Sequence, residues 1–312
     1  MSKVSISVDK SGSFRVYLTD TTDLVQKAQD IHGTTPLATA GLGRVLTGAG
    51  IMSLLLKKAE DRLTVLFKGD GPAEQIVAVG GGDGMVKGYI ANPDVDLPLT
   101  EAGKLDVGGS LGIGELTVIR DLGLKEPYSG TIALVSGEIA EDLTAYYYIS
   151  EQQNTAFALG VKIGTDGRVA AAGGMFIQML PDAVEGAVDA LEGLLSRVPS
   201  ITSCIEAARE KAGPVSGWDS EGYLEVLKDV IFEGMPDDYY PKTLEHRTID
   251  WYCGCSKERM AKALMTVGAK ELTTILKEDG QAELSCQFCR SKYLFTGKEL
   301  REMIYALAGT KE

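Results

Sequence analysis

Two short stretches, Cys253-Gly254-Cys255 and Cys286-Gln287-Phe288-Cys289, decide how the C-terminal part of this chain folds. Each close pair fits a tight turn that presents two thiolates to one side of a metal ion, and the thirty residues between the pairs can bring the two turns together. Because Zn–S bonds are about 2.3 Å long, the four sulfurs must converge within a few ångströms. The sequence therefore predicts a small unit over residues 253–289, folded around one Zn²⁺ ion that all four cysteines bind.

The alternative is that these cysteines are buried structural residues or permanent disulfides. Met1-Ser2-Lys3-Val4-Ser5 leads directly into strand-like sequence without the apolar region of a secretory signal, so we expect a cytoplasmic protein. In that compartment, paired cysteines are more often metal ligands or redox groups than a disulfide scaffold. Metal binding is therefore favoured, with a zinc ion that is either purely structural or responsive to oxidants.

The size and charge of the chain narrow the possible functions. Its 312 residues are enough for about two domains and a sizeable core. No apolar run reaches the roughly eighteen residues that span a membrane, so no membrane association is expected. The net charge is −13, of which residues 245–312 carry +1 and residues 1–244 carry −14. Because phosphate contacts dominate nucleic-acid affinity, this balance argues against nucleic acid as a partner.

The first 181 residues are predicted to form an α+β core, because strands occur in runs rather than in strict alternation with helices. Residues 1–20 are typical of a strand pair. Helices are predicted over 22–31 and from Pro36, where an apolar stripe and several glycines indicate close packing against a sheet. The other predicted elements are a helix over 138–149 and strands over 63–67, 76–79, 85–91, 115–121, 131–136, 156–163 and 168–179.

Residues 182–246 are predicted to be a helical linker, broken by prolines and glycines such as Gly213-Pro214 and Gly217. Within it, residues 223–232 form an amphipathic helix with a broad apolar face. Either this face packs permanently on the core, or the helix detaches readily because it has no closed core of its own.

Residues 247–312 are the predicted zinc domain. Helices are expected over 256–267 and 269–277, and strands over 282–285 and 290–295 on either side of the second cysteine pair. Thr296-Gly297-Lys298-Glu299 is a capping box that starts a final helix.

Other signals of chemistry are weak, and no enzymatic activity is predicted. Gly80-Gly81-Gly82-Asp83-Gly84 lacks the ending of a phosphate-binding loop and precedes a strand, which favours a hairpin turn. Cys204 and His246 could form a nucleophile pair, but Cys204 is more simply interpreted as a small buried thiol on a helix, which is far commoner. Four thiolates also fill the coordination shell of zinc, so no position remains for an activated water.

A redox role is the remaining alternative to structural zinc, because a thiolate is both a metal ligand and a nucleophile. In each pair the cysteines are close enough to form a local disulfide. Zinc contributes about 10–16 kcal/mol to the folding of zinc-finger peptides. An oxidant that ejects the metal should therefore unfold this unit and anything docked on it.

The cysteine pattern resembles that of the 33 kDa chaperonin family, the redox-regulated heat-shock holdases. The resemblance extends over nearly the whole chain in a consistent order. It is carried by the cysteine pairs and by Gly88-Tyr89-Ile90-Ala91-Asn92-Pro93, Glu126-Pro127-Tyr128-Ser129-Gly130, Ser136-Gly137-Glu138-Ile139-Ala140-Glu141-Asp142-Leu143, Ser150-Glu151-Gln152-Gln153 and Gly173-Gly174-Met175-Phe176-Ile177-Gln178-Met179-Leu180-Pro181.

The resemblance implies a core that dimerises, a helical linker over it, and a C-terminal domain that holds Zn²⁺ in the reduced, inactive state. It also implies that oxidation forms Cys253–Cys255 and Cys286–Cys289 disulfides, releases zinc and frees the linker to bind unfolded proteins without ATP. The linker residues that we predict to contact such clients are Tyr223, Leu224, Leu227, Val230, Ile231 and Phe232. The alternative function is a protein-interaction module with purely structural zinc.

Overall fold

The computed structural model describes residues 1–213 and 221–309. Contacts between residues divide the chain into two compact units, Met1–Tyr252 and Cys253–Glu312. The first unit contains the predicted core together with the predicted linker. The division into a core (1–181), a linker (182–246) and a zinc domain (247–312) remains a prediction.

The first unit is built on one large sheet. Within the described residues its strands are β1 (Ser2–Asp9), β2 (Phe14–Asp20), β3 (Arg62–Gly69), β4 (Gln75–Gly81), β5 (Met85–Ile90), β6 (Gly114–Asp121), β7 (Tyr128–Ala133), β8 (Thr155–Ile163), β9 (Val169–Met179) and β10 (Pro241–Trp251). Its helices are α1 (Thr22–His32), α2 (Pro36–Ser53), α3 (Val107–Leu111), α4 (Ala140–Ser150), α5 (Glu185–Leu195), α6 (Ile201–Ala212) and α7 (Glu221–Ile231). The strand order is β7-β6-β3-β4-β5-β10-β1-β2-β9-β8, which confirms the predicted α+β class.

Helix α2 is the centre of this unit. Every residue of the helix except Pro36 and Arg44 is buried, because strands from both halves of the curled sheet pack around it. Helix α4 packs against both edge strands, β7 and β8. A helix that is buried all round needs small residues where neighbours approach closely. A Cβ atom at Gly48, for example, would lie 2.6 Å from Leu143 Cδ1.

The outer face of β2 and β9 forms a second apolar core with the linker helices α5, α6 and α7. Side chains alternate along β2, so that Phe14, Val16 and Leu18 contact these helices, whereas Tyr17 joins the core around α2. The apolar face of the amphipathic helix therefore packs on the sheet in this state.

The helical prediction for the linker is correct for α5, α6 and α7 but wrong from Pro241 onward. Residues 241–246 belong to β10, which pairs antiparallel with β1 in the middle of the sheet. Pro214 and Gly217 of the predicted breaks lie outside the described residues. The predicted boundary after His246 therefore falls inside a strand.

Strand β10 also joins the two halves of the sheet through a short parallel pairing with β5. The pairs are Asp250 with Met85 and Trp251 with Val86. Gly84 makes this approach possible, because a Cβ atom there would lie 2.0 Å from the carbonyl oxygen of Thr248.

We expect Gly84→Ala to destabilise the first unit by more than Gly12→Ala. Both glycines have positive φ, +79° and +71°, which costs an L-residue roughly 1–2 kcal/mol. Gly12 has no atom within 4 Å of a built Cβ, so it is the matched control. Because Gly84→Ala must also displace β10, its total loss should be on the order of 3 kcal/mol. The difference is measured from the urea unfolding midpoints of the two variants. Equal losses of stability would show that β10 moves away from the new Cβ atom at no energetic cost.

The second unit contains α8 (Lys257–Met265), α9 (Ala269–Glu278), β11 (Gln281–Ser285), β12 (Lys292–Thr296) and α10 (Gly297–Gly309), which confirms the predicted order of elements. The capping box is formed: Thr296 N donates to Glu299 Oε2 at 2.8 Å. Among the described residues, the buried members of its apolar core are Leu264, Leu272, Phe295 and Leu300. So small a core rarely stabilises a domain without a metal or another cross-link.

Candidate metal centre

The second unit brings the four predicted cysteines together. Their Sγ atoms all lie within 4.8 Å of one another, and Cys286 is the most buried of them. Cys253 Sγ is 3.7 Å from Cys286 Sγ, and Cys255 Sγ is 3.3 Å from Cys289 Sγ. A tetrahedral zinc ion with four bonds of about 2.3 Å separates its sulfurs by about 3.8 Å. The donor set and its spacing therefore fit Zn²⁺.

Each cysteine pair is held by local backbone geometry. In the second pair, Cys286 N donates to Ser291 O at 2.9 Å and Arg290 N donates to Cys286 O at 2.8 Å. Arg290 adopts φ +60°, which turns the chain sharply after the last ligand. The first pair leads into α8, where Ser256 caps the helix by accepting from Arg259 N. Both turns thus hold their two thiols on one side of the chain through local backbone hydrogen bonds.

Two hydroxyl groups contact the sulfurs and were not predicted from the sequence. Tyr293 Oη lies 3.0 Å from Cys255 Sγ, and Ser291 Oγ lies 3.2 Å from Cys289 Sγ. Ser291 is two residues beyond a ligand, a position from which a short hydroxyl can reach the sulfur. Groups that donate to ligand atoms orient the ligands and tune the metal.

The local environment shifts the pKa values of Cys253 and Cys289 in opposite directions. Burial acts to raise the pKa of Cys289, but hydrogen bonds from the side chain and backbone of Ser291 outweigh it and lower that pKa to about 7. Burial raises the pKa of Cys253 to about 12. Cys289 therefore supplies a thiolate near neutral pH more readily than Cys253 does.

The basic residues near the cysteines have other partners. Lys257 Nζ is 2.6 Å from Glu299 Oε1, and Lys292 Nζ is 2.9 Å from Glu283 Oε1. Arg259 donates to Gly254 O at 2.7 Å. The thiolate of Cys289 thus depends on local hydrogen bonds rather than on these cations.

The remaining sequence candidates lie elsewhere. Cys204 is buried in α6 with its sulfur 3.7 Å from Pro199 O, and burial raises its pKa. His246 Nδ1 faces Glu221 at 3.7 Å, so the structure does not bring the suggested nucleophile pair together. The glycine run at 80–84 ends β4 and forms the hairpin turn to β5 at residues 82–84, as predicted.

The predicted client-contacting residues are hidden in this state. Tyr223, Leu224, Leu227, Ile231 and Phe232 are each at most 2% exposed, and Val230 is partly buried against the same cluster. Their proposed role remains a prediction. No helix of the described residues is long and apolar enough to cross a membrane.

Comparison with known proteins identifies the family. The sequence model of the family described as "Hsp33 protein" matches residues 3–296. This chain belongs to the Hsp33 family. The Hsp33 relatives include the 33 kDa chaperonin of Alkaliphilus oremlandii, which is 42% identical over 294 residues and is matched over 94% of this chain and 93% of its own length. The 33 kDa chaperonin of Clostridioides difficile is 41% identical over 295 residues, covering 94% and 95% of the two chains.

A solved Hsp33 structure has the same fold. The crystal structure of the 33 kDa chaperonin from Thermotoga maritima aligns with a TM-score of 0.85 and 34% identity, and the alignment covers 98% of this chain and 99% of that one. The large sheet, the helices over it and the terminal cysteine cluster are therefore features of an Hsp33 fold.

Proposed function

We propose that this Hsp33 protein is an ATP-independent chaperone, a holdase, that oxidation switches on. The relatives named 33 kDa chaperonin support a chaperone role. The observation that carries the proposal is the pairing of a four-cysteine centre in a small unit with a large apolar surface hidden under the linker helices. In the reduced state we place one Zn²⁺ on Cys253, Cys255, Cys286 and Cys289. The protein would act in the cytoplasm, without nucleic acid or membrane as partners.

The surface that client proteins would bind lies between the linker helices and the sheet. Helix α7 contributes five of the six predicted residues, and Phe232 follows directly after it. The outer faces of β2 and β9 contribute aromatic and aliphatic side chains. Unfolded proteins expose apolar segments, which bind such a surface through the hydrophobic effect. Detachment of the linker would expose both sides of this contact.

Polar contacts fix the position of the linker helices on the sheet but do not prevent their release. Tyr223 Oη donates to Asp20 Oδ2 at 2.9 Å, and Arg209 Nη2 donates to the same oxygen at 2.8 Å. Lys228 Nζ donates to Thr243 Oγ1 of β10 at 2.8 Å. Water can satisfy these groups after release, so they fix the docked position with little net stabilisation.

Strand β10 gives the zinc unit a covalent route to the linker. Tyr252 is the single residue between β10 and Cys253, and Thr243 of β10 contacts α7 through Lys228. We propose that unfolding of the zinc unit frays β10 and removes this contact from α7.

The proposed switch is a four-electron oxidation. Each cysteine pair loses two electrons and forms one S–S bond, while each molecule of hydrogen peroxide gains two electrons and is reduced to water. The protons of any protonated thiols leave with that water or to solvent. We propose the pairs Cys253–Cys255 and Cys286–Cys289, because each closes only a very short loop. Loss of the thiolates removes the donors on which zinc binding depends.

We expect the reduced, zinc-loaded protein to be nearly inactive and the oxidised, zinc-free protein to suppress aggregation of a thermally unfolding client. Zinc release and thiol loss are followed with a chromophoric chelator and thiol titration, beside light scattering of the client. Cys204→Ser should behave like the wild type, because Cys204 lies outside the centre. Retention of zinc under peroxide would instead indicate an interaction module with structural zinc.

We further propose that the active form is a homodimer. Analytical ultracentrifugation of the oxidised protein should give the mass of two chains. A monomer that still suppresses aggregation would remove dimerisation from the mechanism.

A further inference from the structure

A cavity of about 750 Å³ lies in the first unit, where the curled sheet extends past the C-terminal end of α2. Its volume is in the range of small-molecule sites, and the mouth of a curled or closed sheet is a common position for them. The proposed chaperone cycle does not use it. Two sequence motifs converge there, since Glu151 and Gln153 come from one and Gln178 from the other.

The cavity combines an apolar wall with a polar one. The apolar wall lies beside the end of α2 and consists of Met52, Leu54, Leu55, Leu56, Leu63 and Leu122. The polar wall includes Arg15 and Tyr17 of β2, and the carboxamide of Gln178, which is paired opposite Arg15 on β9. A surface of this kind fits a ligand with one polar end and one apolar end.

Two arginines, Arg15 and Arg120, line the cavity, and only Arg120 forms an ion pair within the described residues. Arg120 Nη1 is 2.9 Å from Glu151 Oε2, whose other oxygen accepts from Tyr146 Oη at 2.8 Å. This guanidinium is neutralised within the protein and fixes the wall around it.

Arg15 has no such partner. Its Nε atom is buried without a hydrogen bond, and within the described residues its guanidinium forms no ion pair. Its Nη1 donates to Tyr17 Oη at 3.5 Å. The carboxylates of Asp61 and Glu245 also line the cavity, but within the described residues neither forms an ion pair with Arg15. The planar fork of donors on Arg15 matches a carboxylate or a similar oxyanion from outside.

We propose that this cavity binds a small organic monoanion that carries an apolar chain. The anionic head pairs with the Arg15 guanidinium beside Tyr17 and Gln178, and the chain lies against the leucines near the end of α2. This site contains none of the four cysteines, because all of its residues belong to Met1–Tyr252.

The test uses sodium octanoate as the probe and the reduced, zinc-loaded full-length protein. Isothermal titration should show binding by the wild type and about tenfold or greater weakening in Arg15→Gln, because hydrogen bonds to a charged group are lost. Arg168→Gln is the matched control, since Arg168 is exposed and lies 3.9 Å from Asp30. Its affinity should equal that of the wild type. Octanol, which has the same chain without the charge, should bind more weakly than octanoate.

Amide chemical-shift mapping on the wild type locates the probe without any variant. Octanoate should shift the resonances of Leu55, Gln153 and Gln178. No binding of octanoate, equal affinity in Arg15→Gln, equal affinity of octanol, or shifts confined to α7 and the outer face of β2 would each overturn the proposal.

Discussion

Replacing Cys286 by Ser is expected to abolish tight zinc binding and to unfold residues 253–309, while the strands of the first unit other than β10 remain folded. The second unit has a small apolar core, whereas structural zinc supplies about 10–16 kcal/mol in zinc-finger peptides. Serine binds zinc far more weakly than a thiolate does. Metal analysis should show less than one zinc per chain, and amide spectra should lose the dispersed resonances of the second unit.

Cys204→Ser is the control for this experiment, because it removes a buried thiol from α6 and leaves the centre intact. It should keep one zinc per chain and a folded second unit. A folded, protease-resistant second unit in Cys286→Ser would show that metal is not required for its fold. Loss of zinc could then not unfold this unit, as the proposed switch requires.

The second large effect is expected from Leu227→Asp, which should release the linker without oxidation. Leu227 is 0% exposed in the core between α7 and the sheet. Truncation of a buried leucine alone costs about 2–5 kcal/mol, and an unpaired buried carboxylate adds to this. The reduced, zinc-loaded variant should therefore suppress client aggregation partly, and residues 197–246 should become protease-sensitive before the rest of the first unit.

Val188→Asp is the matched control, because Val188 of α5 is 37% exposed and a carboxylate there remains in water. It should keep zinc, protease resistance and low activity. If Leu227→Asp frees the linker but leaves the reduced protein inactive, the hidden surface is not the client site. If the linker stays protected, docking does not depend on this core.

The sequence predicted the elements that local pattern controls. Turn residues, alternation and helical periodicity are short-range signals, so most helices and strands were placed correctly. The convergence of the four cysteines was also predictable, because their spacing favours two turns that meet. The hydroxyls of Ser291 and Tyr293 were not, since their contacts with sulfur depend on the final geometry of the turn and of β12.

Strand β10 shows why pairing between distant segments of the chain was not predictable from the sequence. Its partner β1 lies at the other end of the first unit, and the pairing sets Ser2 opposite Ile249. Such a register depends on packing between distant segments rather than on local preference. The helix-rich pattern, broken by prolines and glycines such as Gly213-Pro214 and Gly217, favoured a linker. The burial of α2 on all sides likewise exceeds the single apolar stripe that the sequence indicates, because the surrounding sheet curls.

The pairing of β1 with β10 also constrains how the protein is made. At a synthesis rate of about 5–20 residues per second, β1 leaves the ribosome roughly ten to fifty seconds before residue 251 is added. During that interval one edge of the first hairpin has no partner, and the two halves of the sheet are not yet joined through β5. The nascent chain of this chaperone therefore exposes an open strand edge for most of its own translation.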